Sequence, residues 1–338
     1  NKGAQMNMLR TKVLHIMIVS LIGSVLVSLI GSVLFIGCSK KTQKVSLGYV
    51  STGLTGLAVQ VMKDLKIPEK YGIEFEYQGF LDPSSSNDAF VLGKYQVNLA
   101  AGVNVIALAR SKGYKVQYFF PTLVNSVSLL VKKDSLYNSL SDLKGRKTGW
   151  YGLPSGGGTA FYVLAKKKGI DILKDYQLIQ SKPPALPPLL EKGELDAIVI
   201  YEPFVSRMLA TGNYRVILGP FYQEWEKETG FKMEMSGFAA KDEWIDQNFD
   251  LIKKLIKAWK ETVDYIKNHP KEVLEKYPDY TNLKTPQEIE LGIKNIPLIY
   301  TDEWGTLDQS IQLMLNMLAN DSVLITQIPE GTIKRIEE

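Results

Sequence analysis

The sequence predicts an α/β fold in two lobes, and three observations carry that expectation. Short β-branched and aromatic runs alternate with helical stretches from Val45 onward. With 338 residues and 45% apolar content, the chain has enough material for two cores. A polar break at Lys132-Lys133-Asp134-Ser135 interrupts the alternation and marks the crossing into a second lobe.

Residues 45–50 read as the first strand, ending at Ser51-Thr52-Gly53-Leu54-Thr55-Gly56. A helix follows, with Leu57, Val59, Val61, Met62 and Leu65 spaced for burial, and then a strand at 73–77. Helix at 89–92, strand at 97–101, helix at 105–112 and strands at 116–120 and 126–131 continue the pattern. In the second lobe a strand at 148–151, a glycine loop and a helix at 159–168 precede a strand at 176–179. The segment LDAIVIY, 195–201, is the clearest buried strand, because a run apolar on both pleat faces needs cover on both sides. A strand at 216–218 follows, and MSGFAA at 235–240 reads as the return crossing. Beyond Glu243 the pattern is helical: Leu251, Ile252, Leu255, Ile256, Trp259, Val263 and Ile266 recur at three and four residues. Thr285-Pro286-Gln287-Glu288 is a capped helix start. The expected division is lobe 1 from 45–132 and 237–338, and lobe 2 from 133–236.

The first residues carry a different signal. Lys2, Arg10 and Lys12 precede residues 13–37, an apolar run interrupted only by His15, serines and glycines, with SLIGSVL repeated at 20–26 and 28–34. This is a membrane-targeting segment. It ends at Leu34-Phe35-Ile36-Gly37-Cys38, which resembles a bacterial lipobox and so implies lipidation of Cys38; an uncleaved anchor and an incidental cysteine are the alternatives. Residues 38–44 form a polar linker. Lipidation or an anchor places the rest of the chain outside the cytoplasm.

Charge and residue usage exclude several classes. Forty basic and 36 acidic residues give +4, and three of the basic ones belong to the leader. A chain so balanced has no global drive toward nucleic acid. One cysteine excludes a disulfide framework and cysteine-rich metal sites. Two histidines, His15 in the leader and His269 at a helix end, leave little for acid–base or nucleophilic catalysis. No metal, cofactor or catalytic residue is expected.

The candidate site is built from strand ends. Gly152-Leu153-Pro154-Ser155-Gly156-Gly157-Gly158-Thr159 lies between a strand and a helix, where backbone N–H groups can hold a polar ligand atom. It has P-loop spacing, but Gly158 stands where a lysine would meet the phosphates, so nucleotide hydrolysis is not expected. Glu202 closes the buried strand beside Tyr201; it either faces a ligand or caps the following helix. Tyr49, Phe80, Trp150, Tyr151 and Phe238 also fall near strand ends and suggest a cleft for a planar or apolar ligand body. Lys253, Lys254, Lys257 and Lys260 make a basic helix face that reads as solvated.

Taken in order, the lipobox, STGLTG, KYGIEFE, FVLGKYQVNLAAG, SLLVKKDS, SDLKGRKTGWYGLPSGGGTAF, GELDAIVIYEP and MSGFAAKDEW resemble the substrate-binding proteins of ABC importers. The resemblance is to their nitrate/sulfonate/taurine and thiamine-pyrimidine group, over about residues 45–258. It implies a type II periplasmic-binding-protein fold: two α/β lobes joined by two crossings that close on a ligand. It also implies an ABC permease with its ATPase as partners. The ligand-binding positions it implies are Ser51, Thr52, Gly53 and Thr55; Gly102, Val103 and Asn104; Asn125 and Ser126 at the crossing; Ser155, Gly156, Gly157, Gly158 and Thr159; and Tyr201 and Glu202. Phe80, Trp150, Tyr151 and Ser236 complete the expected pocket. An acid usual in the family before the third strand is Gln96 or Asn98 here. The group's enzymatic branch of pyrimidine synthases needs a histidine and a cysteine-rich motif that the chain after the leader lacks. The implied role is capture of a small organic nutrient, either a sulfonate-like oxyanion or a thiamine-pyrimidine-like or flavin-like heterocycle. A membrane-tethered enzyme or sensor on the same fold is the alternative.

Overall fold

Ten strands in two five-stranded sheets organise the chain, in a computed structural model that describes residues 42–337. The leader and Cys38, with the expectations attached to them, lie outside the described residues. Residues 43–338 form one compact unit that contains both sheets and both cores.

The first sheet has the order β2-β1-β3-β10-β4, with β1 Gln43–Val50, β2 Ile73–Phe80, β3 Val97–Ala101, β4 Val116–Val124 and β10 Glu234–Lys241. The second runs β7-β6-β8-β5-β9, with β5 Ser128–Lys132, β6 Lys147–Trp150, β7 Gln177–Gln180, β8 Ala197–Ile200 and β9 Tyr214–Leu218. Strands joined through helices are parallel, as right-handed crossovers require. The exceptions are β10 and β5, each antiparallel to both of its neighbours. Each is the first strand laid down after the chain arrives from the other sheet.

This corrects two expectations. The crossing lies at residues 125–127 and not after Lys132, because β5 pairs with β8 and β9 in the second sheet. The polar run at 132–135 is merely where that strand emerges into solvent. MSGFAA is not a connecting segment but the body of β10, inserted between β3 and β4.

Period-two burial explains why LDAIVIY is apolar throughout. Ala197 and Val199 join the main core, whereas Ile198 and Ile200 join a second cluster with Leu130, Leu186, Leu190 and Met208. The amphipathic stretch forms the helix Phe249–Asn268, and Thr285 and Glu288 make a reciprocal capping box for the helix Pro286–Asn295. The C-terminal helices reach elements that follow strands of the second sheet. Asn295 Nδ2 donates to Glu202 Oε1 at 3.3 Å, Tyr162 donates to Asp321 at 2.7 Å, and Trp225 Nε1 donates to Ser310 at 2.9 Å. Among the described residues no helix is long and apolar enough to cross a membrane.

Candidate functional site

The C-terminal ends of the parallel strands of the two sheets meet around a cavity of about 320 Å³, a size suited to a small organic molecule. Because β10 runs antiparallel, its beginning, Met235 and Ser236, lies at the same edge.

From the first sheet, Thr52, Gly53 and Thr55 line the wall after β1, where Gly53 takes φ +70° at the helix start. The Thr55 hydroxyl donates to Val50 O at 2.9 Å and pins this turn. Gly102 lines the wall after β3. From the second sheet come Tyr151, Ser155, Gly156 and Gly157 after β6, and Tyr201 and Glu202 after β8. Ser155 caps the helix Gly156–Lys167 by accepting from the Gly158 N–H at 3.0 Å. The glycines are here for space. A Cβ on Gly157 would sit 1.9 Å from the Tyr151 hydroxyl, and one on Gly158 would sit 1.9 Å from Gly152 O.

The remaining expected residues are not on the wall. Ser51 donates its hydroxyl to Phe80 O at 3.0 Å, and Phe80 packs on Tyr95 at 5.5 Å between ring centroids. Val103 and Trp150 are core residues. Asn104 donates to Pro154 O at 2.8 Å and to Thr159 Oγ1 at 2.9 Å, so these two polar side chains satisfy one another across the lobes. Asn125 bonds Gly156 O and Glu234 O at the crossings, at 3.5 and 3.4 Å. Ser126 accepts from the Glu202 N–H at 3.4 Å. Gly158 is held by the Ser155 cap. Ser51, Asn104, Thr159, Asn125 and Ser126 have each found a hydrogen-bond partner within the chain, as burial demands.

The helix expected at 89–92 begins earlier, as Pro83–Val91, and sequence reasoning missed its first turns, whose Pro83, Ser84, Asn87 and Asp88 line the cavity. The signal was present: Asp82-Pro83 directly after β2 is a cap followed by proline at the first helical position, and Asp82 Oδ1 accepts from the Ser85 N–H at 3.0 Å. Gln180, at the end of β7, was missed as well.

The electrostatics are one-sided. Asp88 and Glu202 are the charged side chains on the wall, with no lysine or arginine among its described residues. Burial pushes the Glu202 carboxyl up, against hydrogen bonds from the Ser206 N–H and hydroxyl, each at 3.0 Å, and from Asn295. Both Glu202 oxygens are therefore engaged, and the carboxylate caps the helix Phe204–Ala210 while it lines the cavity. Tyr151 stands edge-on to Tyr201 at 5.6 Å. Burial raises Tyr201 to about 12 and Tyr151 further, so both stay protonated donors. The Tyr151 hydroxyl and Ser236 Oγ are buried with no hydrogen-bond partner among the described residues. Among the described residues no cluster of His, Cys, Asp or Glu could hold a metal.

Two mixed sheets joined by two crossings, with a cavity at their facing strand ends, define a type II periplasmic-binding-protein fold. Solved structures bear this out. The alkanesulfonate-binding protein SsuA from Xanthomonas axonopodis pv. citri, bound to MOPS, is 13% identical with TM-score 0.72, covering 87% of this chain and 98% of that one. The periplasmic aliphatic sulphonate-binding protein SsuA from Escherichia coli is 15% identical with TM-score 0.71, covering 87% and 94%. A cysteine-to-serine mutant of DszB in complex with biphenyl-2-sulfinic acid is 13% identical with TM-score 0.59, covering 85% and 94%. The chain belongs to the NMT1/THI5-like family, which it matches over residues 69–273. No curated protein matches it in sequence.

Proposed function

We propose that this protein is the extracytoplasmic substrate-binding component of an ABC importer, held to the membrane through its N-terminal segment. In this reading a small organic nutrient is captured between the lobes and delivered to a permease. The lobes are residues 43–124 with the segment from Glu234 onward, and residues 128–218, hinged at the two crossings. The ligand is a nitrogen heterocycle or amine carrying N–H donors, and not a sulfonate.

One observation carries the ligand class: the wall has two carboxylates and no cation. Burying a sulfonate beside Asp88 and Glu202 would set like charges together in a site of low dielectric. The first turn of the Gly156–Lys167 helix offers its positive dipole end from the second sheet, which suits a carbonyl or ring-nitrogen acceptor on the same ligand. Tyr151 and Ser236 supply hydroxyls with capacity still unused. Binding without turnover is favoured over catalysis because the wall carries no histidine, cysteine or lysine, and His269 instead ends the Phe249–Asn268 helix, stacked on Tyr265.

The test is native mass spectrometry of the chain purified without denaturation, followed by a thermal-shift panel of thiamine, cytosine, riboflavin, methanesulfonate and ethanesulfonate. An adduct bearing ring or amine nitrogen and no sulfonate, and stabilisation by a nitrogenous probe that weakens in Asp88→Asn, is the expected result. Stabilisation by methanesulfonate or ethanesulfonate, which carry no N–H donor, refutes the ligand class. Conversion of the bound molecule during long incubation refutes the binding role.

A further inference from the structure

A second recess, of about 480 Å³, opens at the opposite edge of the first sheet. Lys44 and Ser46 of β1 line it, whereas Val50 at the other end of the same strand lines the ligand cavity. Lys44 and Val50 are six steps apart along the strand, or about 20 Å. Gln96, just before β3, and Lys241, at the end of the antiparallel β10, complete the same edge.

Three lysines line the recess, Lys44, Lys94 and Lys241, against one carboxylate-bearing residue, Glu76. Lys44 is paired with Glu74 at 3.5 Å. Lys94 and Lys241 have no side-chain partner among the described residues. Gly93, at φ +76°, makes room for one of them: a Cβ there would lie 2.6 Å from Lys241 Nζ. The ammonium of Lys241 thus lies over the turn at Gly93 that precedes Lys94, on a recess wall that both lysines share. Half-buried Trp244 forms another part of the wall. Five residues on, Phe249 is 45% exposed and carries the Lys253 ammonium 5.5 Å from its ring centroid. Lysines interleaved with exposed aromatics suit a membrane interface.

The chain also enters here. Gln43 is the first residue of β1 and Lys44 is on the recess. The six steps from Cys38 to Lys44 reach at most about 20 Å, so a chain anchored near Cys38 carries this edge at the bilayer surface. We propose that the recess is a docking surface for the phosphate headgroups of an anionic membrane, resting on the tethered reading above. Docked in this way, the lobe turns its ligand cavity, at the far end of β1, toward solvent, where nutrient is captured before the permease is engaged.

Co-sedimentation of residues 43–338, which hold the complete fold without the leader, tests this. Vesicles of phosphatidylcholine alone are compared with vesicles containing about 30% phosphatidylglycerol. Partitioning is expected only onto the anionic vesicles, falling in high salt. The double variant Lys94→Ala/Lys241→Ala should partition about 25-fold more weakly, at roughly fivefold per lysine, while Lys133→Ala/Lys192→Ala on the other sheet partitions as the parent does. Circular dichroism confirms that each variant is folded. Absence of partitioning, equal partitioning by the recess variant, or binding of inorganic phosphate without vesicle binding would each overturn the proposal. The readout needs no cleft ligand, so a chain that docks on vesicles yet binds no nutrient refutes the importer reading and leaves this one standing.

Discussion

Glu234 opens β10 at the return crossing, immediately before the two residues of that strand that line the cavity, and its side chain is almost wholly buried. Burial pushes its carboxyl from 4.5 to about 8, against the pull of the neighbouring Tyr118 hydroxyl and the Val103 N–H. Among the described residues neither Glu234 Oε1 nor the Tyr118 hydroxyl has a well-formed hydrogen bond. The folded protein therefore keeps a proton that the unfolded chain releases near 4.5. Between those limits the unfolded state binds fewer protons, and stability falls as pH rises through the window, levelling off above about 8. The full difference corresponds to a ceiling of about 5 kcal/mol. Rearrangement around the ionised group brings the expected loss to about 2–4 kcal/mol. Glu234→Gln retains the shape and cannot ionise. Urea unfolding followed by circular dichroism at pH 5, 7 and 9 should show the parent losing that stability relative to Glu234→Gln, with the two nearly matched at pH 5. A difference that stays constant with pH would refute the reasoning.

Two further outcomes follow from contacts already described. Asn104→Ala removes both bonds that tie the Val103–Ser111 helix to the glycine loop. It should cost about 2–3 kcal/mol and enlarge the radius of gyration of the ligand-free protein in solution scattering; an unchanged scattering profile counts against an interlobe latch. Gly158→Ala drives a Cβ into Gly152 O; it should lower stability by about 1–3 kcal/mol and weaken cleft ligands, because Gly156 and Gly157 on the wall move with it. Calorimetry with and without ligand reads both effects, and a variant with parental melting temperature contradicts the close-approach argument.

Local patterns were legible wherever neighbours in sequence settle the structure. Thr285 and Glu288 cap one another within a single turn, and the Phe249–Asn268 stripe is a property of one helix. The strand-end rule and the glycine loop brought Tyr151, Ser155, Tyr201 and Glu202 to the cavity wall, because residues at one edge of a parallel sheet share an edge in space, whereas Thr52 came from the family resemblance. Asp88 escaped notice because it lies a turn inside a helix, and its face is fixed only once that helix is laid against β3 and β1.

By itself, the sequence determined the alternation of strands and helices, the turns that need glycine or a cap, and the shortage of catalytic side chains. All of these depend on the order and chemistry of nearby residues. The tertiary structure alone decided that β5 belongs to the second sheet and β10 lies between β3 and β4. It also decided that Asn104 and Thr159 spend their polar groups on each other, and that the cavity wall is acidic. Those outcomes turn on which distant groups meet. A hydrogen-bonding side chain aims at a ligand only when burial has brought it no partner from its own chain.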